Sequence, residues 1–213
     1  MTEKAYQFWN NLIGWTLFGL ALLTFGSTVE PTASYWDCAE YIATSAKLQV
    51  GHPPGAPFFQ MMGAFFASFA SSTEKIALMV NYMSVFSSAF TILFLFWTLT
   101  LILRKIPSFS GLESLSQKIG FFGSAAVGAM AFCFSDSFWF NAVEAEVYAM
   151  AMFLLALLFW MGLRWESEMN TPRGDSWLLL MAFVIGLCFG VHFMALLTIP
   201  SLGMLYYFKN ANK

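Results

Sequence analysis

The sequence predicts an all-α, polytopic membrane protein, and three observations carry that prediction. Of 213 residues, 59% are hydrophobic and only 10% charged, whereas a soluble domain has about a quarter charged and under half apolar. Apolar runs of membrane-span length recur along the chain. The few cations also sort to one side once those runs are threaded through a bilayer. This composition excludes a soluble globular enzyme, a disordered chain, a nucleic-acid binder and a small disulfide scaffold. A net charge of -2 suggests no polyanionic partner. Cys38, Cys133 and Cys188 lack CxxC spacing and read as apolar fillers in helices.

A span needs roughly 17 to 25 apolar residues. Residues 8–25 supply the first. The head before them carries Glu3 beside Lys4, Asn10 and Asn11 follow, and no A-x-A site comes after, so an uncleaved helix fits better than a signal peptide. The next apolar run, residues 58–70, is too short to cross and follows Gly51-His52-Pro53-Pro54-Gly55-Ala56-Pro57, which cannot be helical throughout. It reads as an interfacial or re-entrant segment. Residues 76–103 form a clear span, and residues 119–135, 147–163, 177–191 and 193–208 bring the total to about six. The last two are short and abut at His192, with Gly186, Gly190 and Pro200 as places to bend.

With the N-terminus cytoplasmic, Lys4, Arg104, Lys105, Lys118, Arg164, Arg173, Lys209 and Lys213 fall inside, and only Lys47 and Lys75 outside. That is the positive-inside pattern. Were residues 58–70 to cross, Arg104, Lys105, Lys118, Arg164 and Arg173 would move outside. The reading gives one transmembrane module over residues 1–213 with a long first external loop, residues 26–75, and a second over residues 136–146. No internal repeat is visible.

Seven acids then lie outside: Glu30, Asp37, Glu40, Glu74, Asp136, Glu144 and Glu146. Carboxylates near apolar membrane surroundings are costly and mark functional candidates. In residues 36–48, a helical turn of about 100° per residue puts Asp37, Glu40, Thr44 and Lys47 on one face and Ala39, Ile42, Ala43 and Ala46 on the other. This predicts an amphipathic surface helix. A structural reading of the same face is a Ser34/Asp37 capping box followed by solvated charges. In residues 134–148, Ser135 or Asp136 suits a helix cap. Glu144 and Glu146 point to nearly opposite sides if this stretch is helical, while Glu144 and Tyr148 share a face. His52 sits in a rigid Pro-Pro turn and His192 between two short spans. Their spacing gives no metal pair, and none is expected.

The run Trp36-Asp37-Cys38-Ala39-Glu40-Tyr41, followed by Gly51-His52-Pro53-Pro54-Gly55-Ala56-Pro57-Phe58, resembles the first-loop signature of the family 117 membrane glycosyltransferases. These belong to the C-type superfamily and are related to the transmembrane protein O-mannosyltransferases. Residues 141–149, and Gly186-Leu187-Cys188-Phe189-Gly190-Val191-His192 with Pro200, agree with it. The resemblance implies a C-type helical enzyme in a bacterial inner membrane, with surface helices and an acidic base in the first external, periplasmic loop. It implies a polyprenyl-phosphate sugar as donor, mannose above all, and a Ser or Thr hydroxyl of an exported protein as acceptor. Relatives usually continue beyond six spans, so the chain is expected to be the N-terminal portion of something larger.

A phosphate leaves without protonation, so one general base suffices; glycoside hydrolysis needs a second carboxyl because an alkoxide leaves. Asp37 is nominated as base, with Glu40 as fallback or partner. Lys47, His52 and His192 are candidates to offset phosphate charge, and Glu144, Glu146 and Tyr148 to bind sugar or acceptor. No cofactor is expected beyond the lipid-linked co-substrate. A non-catalytic assembly subunit and a transporter are the alternatives. A transporter would carry its ionisable groups mid-membrane with repeat symmetry. The topology makes a direct prediction: Ser72→Cys reacts with an impermeant thiol reagent in intact cells. Labelling only after permeabilisation would mean that residues 58–70 cross.

Overall fold

A computed structural model describes residues 1–109 and 111–210; Lys213, one of the cations assigned to the cytoplasmic side, lies outside them. Among the described residues there are nine α-helices and no strand. They are α1 (Glu3–Ser27), α2 (Cys38–Lys47), α3 (Pro57–Ala67), α4 (Ile76–Leu103), α5 (Leu115–Cys133), α6 (Asp136–Ala142), α7 (Val147–Glu168), α8 (Gly174–Cys188) and α9 (Thr198–Asn210).

The chain is an integral membrane protein built around α4. This helix is apolar on every side, as a helix surrounded by protein must be. It packs against α1, α5, α7 and α3. Its two sides belong to different cores. Val80 and Met83 join residues of α2, α3, α7 and α8, while Val85, Ala89, Ile92 and Phe96 join α1, α5 and α6. Ser84, Ser87, Ser88, Ala89 and Thr91 are all buried on it, and small residues let neighbouring helices come close where no water drives them together. The hydroxyls of Ser87 and Thr91 donate back to Met83 O at 2.8 Å and Ser87 O at 3.0 Å, which satisfies them in apolar surroundings. Outward, Phe8, Trp9, Leu12, Trp15, Leu20 and Leu23 of α1 are exposed, a face suited to lipid.

Three helices are long and apolar enough to cross a membrane: α1, the continuous stretch ending in α4, and α7. The number becomes four if α5 and α6 count as one span bent by 67°. The expected six is therefore not reached by length. Helix α3, at 11 residues, is only about 16 Å long and cannot cross a core of about 30 Å. Helices α8 and α9, of 15 and 13 residues, are short because the chain abandons regular helix around residues 189–197. Helix α8 and the stretch over residues 192–210 that ends in α9 nevertheless each link the same two regions of the bundle. At one end, Trp177 Nε1 donates to Glu168 Oε2 at 3.1 Å and Lys209 pairs with Glu166 at 2.6 Å. At the other, Gly190 O accepts from Phe58 N at 2.7 Å and Phe59 N at 3.1 Å. The cation-rich end gathers Arg104 on Glu3 at 2.9 Å, Lys105 on Glu166, and Met1 N on Leu112 O at 3.1 Å. A capping box of Ser114 and Gln117 fixes the start of α5, four residues before the expected boundary.

The opposite end holds the irregular segments around the Pro-Pro turn and residues 143–146 and 189–193. Glycine matters at two points there. Gly55 closes the Pro-Pro turn with φ +80° and donates to His52 O at 2.8 Å. Gly190 lies against the start of α3, where a Cβ would stand 2.7 Å from Phe58 Cβ. Its carbonyl thereby satisfies two N–H groups that a helix start leaves unpaired.

Helix α2 is present as the sequence predicts, but it sits differently. Its buried stripe is Cys38, Ile42 and Ser45, and Thr44, expected on the polar face, is buried as well. Thr44 accepts from Gln60 Nε2 of α3 at 3.1 Å, so packing between the two short helices turns that face inward. The Ser34/Asp37 capping box does not form: Asp37 is the N-cap residue without a side-chain cap bond, and Ser34 donates to Glu144 instead. Asn81 of α4 holds the chain ahead of α2. Fully buried, its Nδ2 donates to Glu30 O at 2.6 Å and Thr32 O at 2.8 Å. Asn81→Leu leaves those carbonyls without donors, at about 1–3 kcal/mol each where buried. We expect a fall of several degrees in the thermal unfolding midpoint in detergent; an unchanged midpoint would remove Asn81 as an anchor.

Candidate active site

A cavity of about 410 Å³ opens at the end of the bundle that carries α2 and α3. Asp37, Tyr41, His52, Pro54, Gly55, Glu146, Val147, Tyr148, Phe189, Val191, His192 and Phe193 line it. Thus Asp37, His52, Glu146, Tyr148 and His192, drawn from three distant stretches of sequence, converge on one space. Glu40, Glu144 and Lys47 do not line it.

Glu40 stands one turn along α2 from Asp37 and holds His52. Its Oε1 accepts the His52 backbone N–H at 2.7 Å, and its Oε2 lies 3.2 Å from Nδ1. The backbone N–H and then the ring hold the Glu40 carboxyl below the usual carboxylate range. With Nδ1–H donated to a carboxylate, the neutral ring keeps its lone pair on Nε2, which stands 3.7 Å from Asp37 Oδ2. Lys47 remains exposed on the last turn of α2, outside the lining.

The chain is not helical over residues 143–146. This break decides the fate of the two glutamates, since the helical register that would pair Glu144 with Tyr148 never forms. Glu144, 3% exposed, turns to Ser34. Burial, opposed by the Ser34 hydrogen bond and aided by the Glu30 charge, raises its carboxyl above the ordinary range. Glu146, 6% exposed, turns to the cavity, and its Oε1 has no hydrogen-bond donor among the described residues. Burial first, then the charges of Glu144 and Asp37, push it up to about 7.

On the far wall, His192 Nδ1 accepts Met194 N–H at 3.1 Å. The neutral ring therefore carries its proton on Nε2 as a donor. It packs against Tyr148 with centroids 5.2 Å apart. Tyr41 was not singled out from sequence. It lies four residues after Asp37, a helical spacing that was available as a signal. Its ring contacts His52 at 5.9 Å and Phe59 at 5.1 Å. Burial and the surrounding carboxylates push its hydroxyl up to about 12, so it stays a donor. Ser34 and Asn81, the supports behind the lining, carry no local sequence signal, because their partners are remote in the chain.

Together these features define a membrane-embedded helical protein with a carboxylate- and histidine-lined cavity at one end of its bundle. The chain belongs to the family described as protein O-mannosyl-transferase TMEM260 N-terminal domain, which matches residues 37–213. It is similar to the protein O-mannosyl-transferase tmem260 of Dictyostelium discoideum, 25% identical over 196 residues, covering 86% of this chain and 22% of that relative. The chain thus spans about a fifth of the length of that relative. No solved structure matches significantly.

The Glu146 environment sets a pH dependence. Its folded value, about 7, exceeds the ordinary 4.5, so the folded state holds this proton more tightly than the unfolded one. Stability falls as pH rises between those values and levels off above about 7. Glu146→Gln removes the titration, and its unfolding midpoint should vary less over that window than that of wild type. Parallel profiles would show that Glu146 is ionised throughout.

Proposed function

We propose that this chain carries the donor-side site of a membrane glycosyltransferase, which moves a sugar, mannose in the first instance, from a polyprenyl phosphate to a Ser or Thr hydroxyl of an exported protein. The single observation behind this is the convergence of Asp37, His52, Glu146, Tyr148 and His192 on one cavity, in a chain of a family described as protein O-mannosyl-transferase. The cavity lies at one end of the bundle and not at mid-span, which disfavours the transporter alternative.

We read six crossings, with α8 and the stretch ending in α9 counted as two short ones. The N-terminus is cytoplasmic and the cavity external, as the cation distribution favours.

In the reaction, the acceptor hydroxyl oxygen attacks the anomeric carbon. The bond from that carbon to the phosphate oxygen breaks, and its electron pair leaves with the phosphate. The hydroxyl proton goes to Asp37, a cavity carboxylate that no cap bond occupies. In-line attack inverts the anomeric centre. Glu40 acts through His52, which it clamps. Tyr41, Tyr148 and the Nε2–H of His192 are the donors for sugar hydroxyls or phosphate oxygens, and Glu146 is the acceptor opposite them.

General-base catalysis contributes about 10²–10⁴-fold. Asp37→Asn in the full-length protein should therefore lower donor-dependent mannosyl transfer by at least about a hundredfold, with unchanged expression and unfolding midpoint. Wild-type transfer by that variant would remove Asp37 as the base.

A further inference from the structure

Asp37, Glu40 and His52 form a cluster in which one ligand atom from each lies within 4.8 Å of the other two. The geometry within it is uneven in an informative way. The Glu40 carboxylate is saturated by His52, taking its backbone N–H and standing beside Nδ1. The Asp37–His52 pair is not, because 3.7 Å between Oδ2 and Nε2 is too long for a hydrogen bond. It is a separation that two ligands, each about 2.1 Å from one ion, can span. A carboxylate fixing Nδ1–H so that Nε2 presents its lone pair is the usual second layer of a metal-bound histidine.

Two further observations point to a cation here. Glu146 lines the same cavity, is 6% exposed, and has an oxygen that finds no donor among the described residues. A buried carboxylate oxygen without a donor in a native structure calls for a partner. In addition, the cavity lining includes two carboxylates and no lysine or arginine among the described residues. The cavity thus gathers carboxylates with no fixed cation to offset them.

We propose that Asp37, Glu40 and His52 hold one divalent metal ion of the zinc or manganese class at the edge of the cavity. Asp37 Oδ2 and His52 Nε2 are its direct ligands, Asp37 Oδ1 is left to take the acceptor proton, and Glu40 orients the imidazole. Mixed imidazole and carboxylate ligation suits such ions. The remaining coordination positions face the cavity, where they take water or phosphate oxygens. The purpose assigned to the ion, offsetting the charge of a leaving phosphate, rests on the transferase reading; the binding site itself does not.

The test uses full-length protein in detergent, stripped with a chelator and titrated with Mn²⁺, with free ion followed by electron paramagnetic resonance. One saturable site per chain is expected. Asp37→Asn, His52→Ala and Glu40→Gln should each weaken binding about ten- to a hundredfold while keeping the wild-type unfolding midpoint. Glu74→Gln, at an exposed carboxylate outside the cavity, should bind as wild type. Equal binding by all variants, or no saturable site, overturns the proposal. Mannosyl transfer measured on the same samples separates the two readings. Transfer that survives complete stripping removes the role assigned to the ion and leaves the transferase standing; the site itself is decided by the Mn²⁺ titration. Saturable binding lost in the three variants, with no transfer by any sample, supports the metal site and removes the transferase reading.

Discussion

Two hydrogen bonds from one buried amide hold the cavity end of this protein in place. Asn81 has no exposed surface, and its Nδ2 reaches the carbonyls of Glu30 and Thr32, in the irregular chain between α1 and α2. That chain leads into Trp36, an exposed residue whose φ of +59° lies in the left-handed region. Asp37 follows at once. The position of the first carboxylate thus depends on an amide inside α4, more than forty residues away in sequence.

The division of labour along the bundle follows from the bilayer. A helix satisfies its own backbone, so long helices occupy the membrane, and irregular backbone is tolerated only where protein or a polar cavity surrounds it. In this chain four irregular joints meet at the cavity end: residues 28–37, the Pro-Pro turn, residues 143–146 and residues 189–193. Each is fastened by a specific bond. Glu30 N–H reaches Val143 O at 3.0 Å, Ser34 reaches Glu144, and the start of α3 reaches Gly190. The cavity is the space these joints leave among themselves. Its side chains are held by loops that are tied down, while the helices supply the fixed frame.

Electrostatically the two ends differ in kind. The cation-rich end pairs its charges: Glu3 with Arg104, Glu166 with Lys105 and Lys209, Glu168 with Arg164. At the cavity, carboxylates outnumber their partners, and one of them, Glu146, is driven towards neutrality by burial and by its acidic neighbours. An uncompensated charge in a dry site is costly. A structure that keeps such a group is poised to receive a proton, a cation or a donor-rich ligand.

Much of the architecture was legible in sequence because its causes are local. The boundaries of α4 follow from an uninterrupted apolar run, α2 from the 3.6-residue alternation, and the shortness of α3 from the Pro-Gly-rich stretch ahead of it. Asp37, His52, Glu146, Tyr148 and His192 could each be nominated as scarce polar groups in an apolar chain. Which of them meet was not legible. Glu144 and Glu146 exchange roles relative to helical expectation because the chain breaks at residues 143–146. Lys47 stays outside the cavity, and Thr44 goes inward to Gln60 of α3. Tyr41 joins the site one helical turn after Asp37. The sequence by itself determined the helices, their amphipathic faces and the membrane that hosts them, since periodicity and hydropathy act over a few residues. Only the tertiary structure decided the cavity, through contacts such as Ser34 to Glu144 and Phe58 to Gly190. These join residues more than a hundred apart, and no local pattern records such pairs.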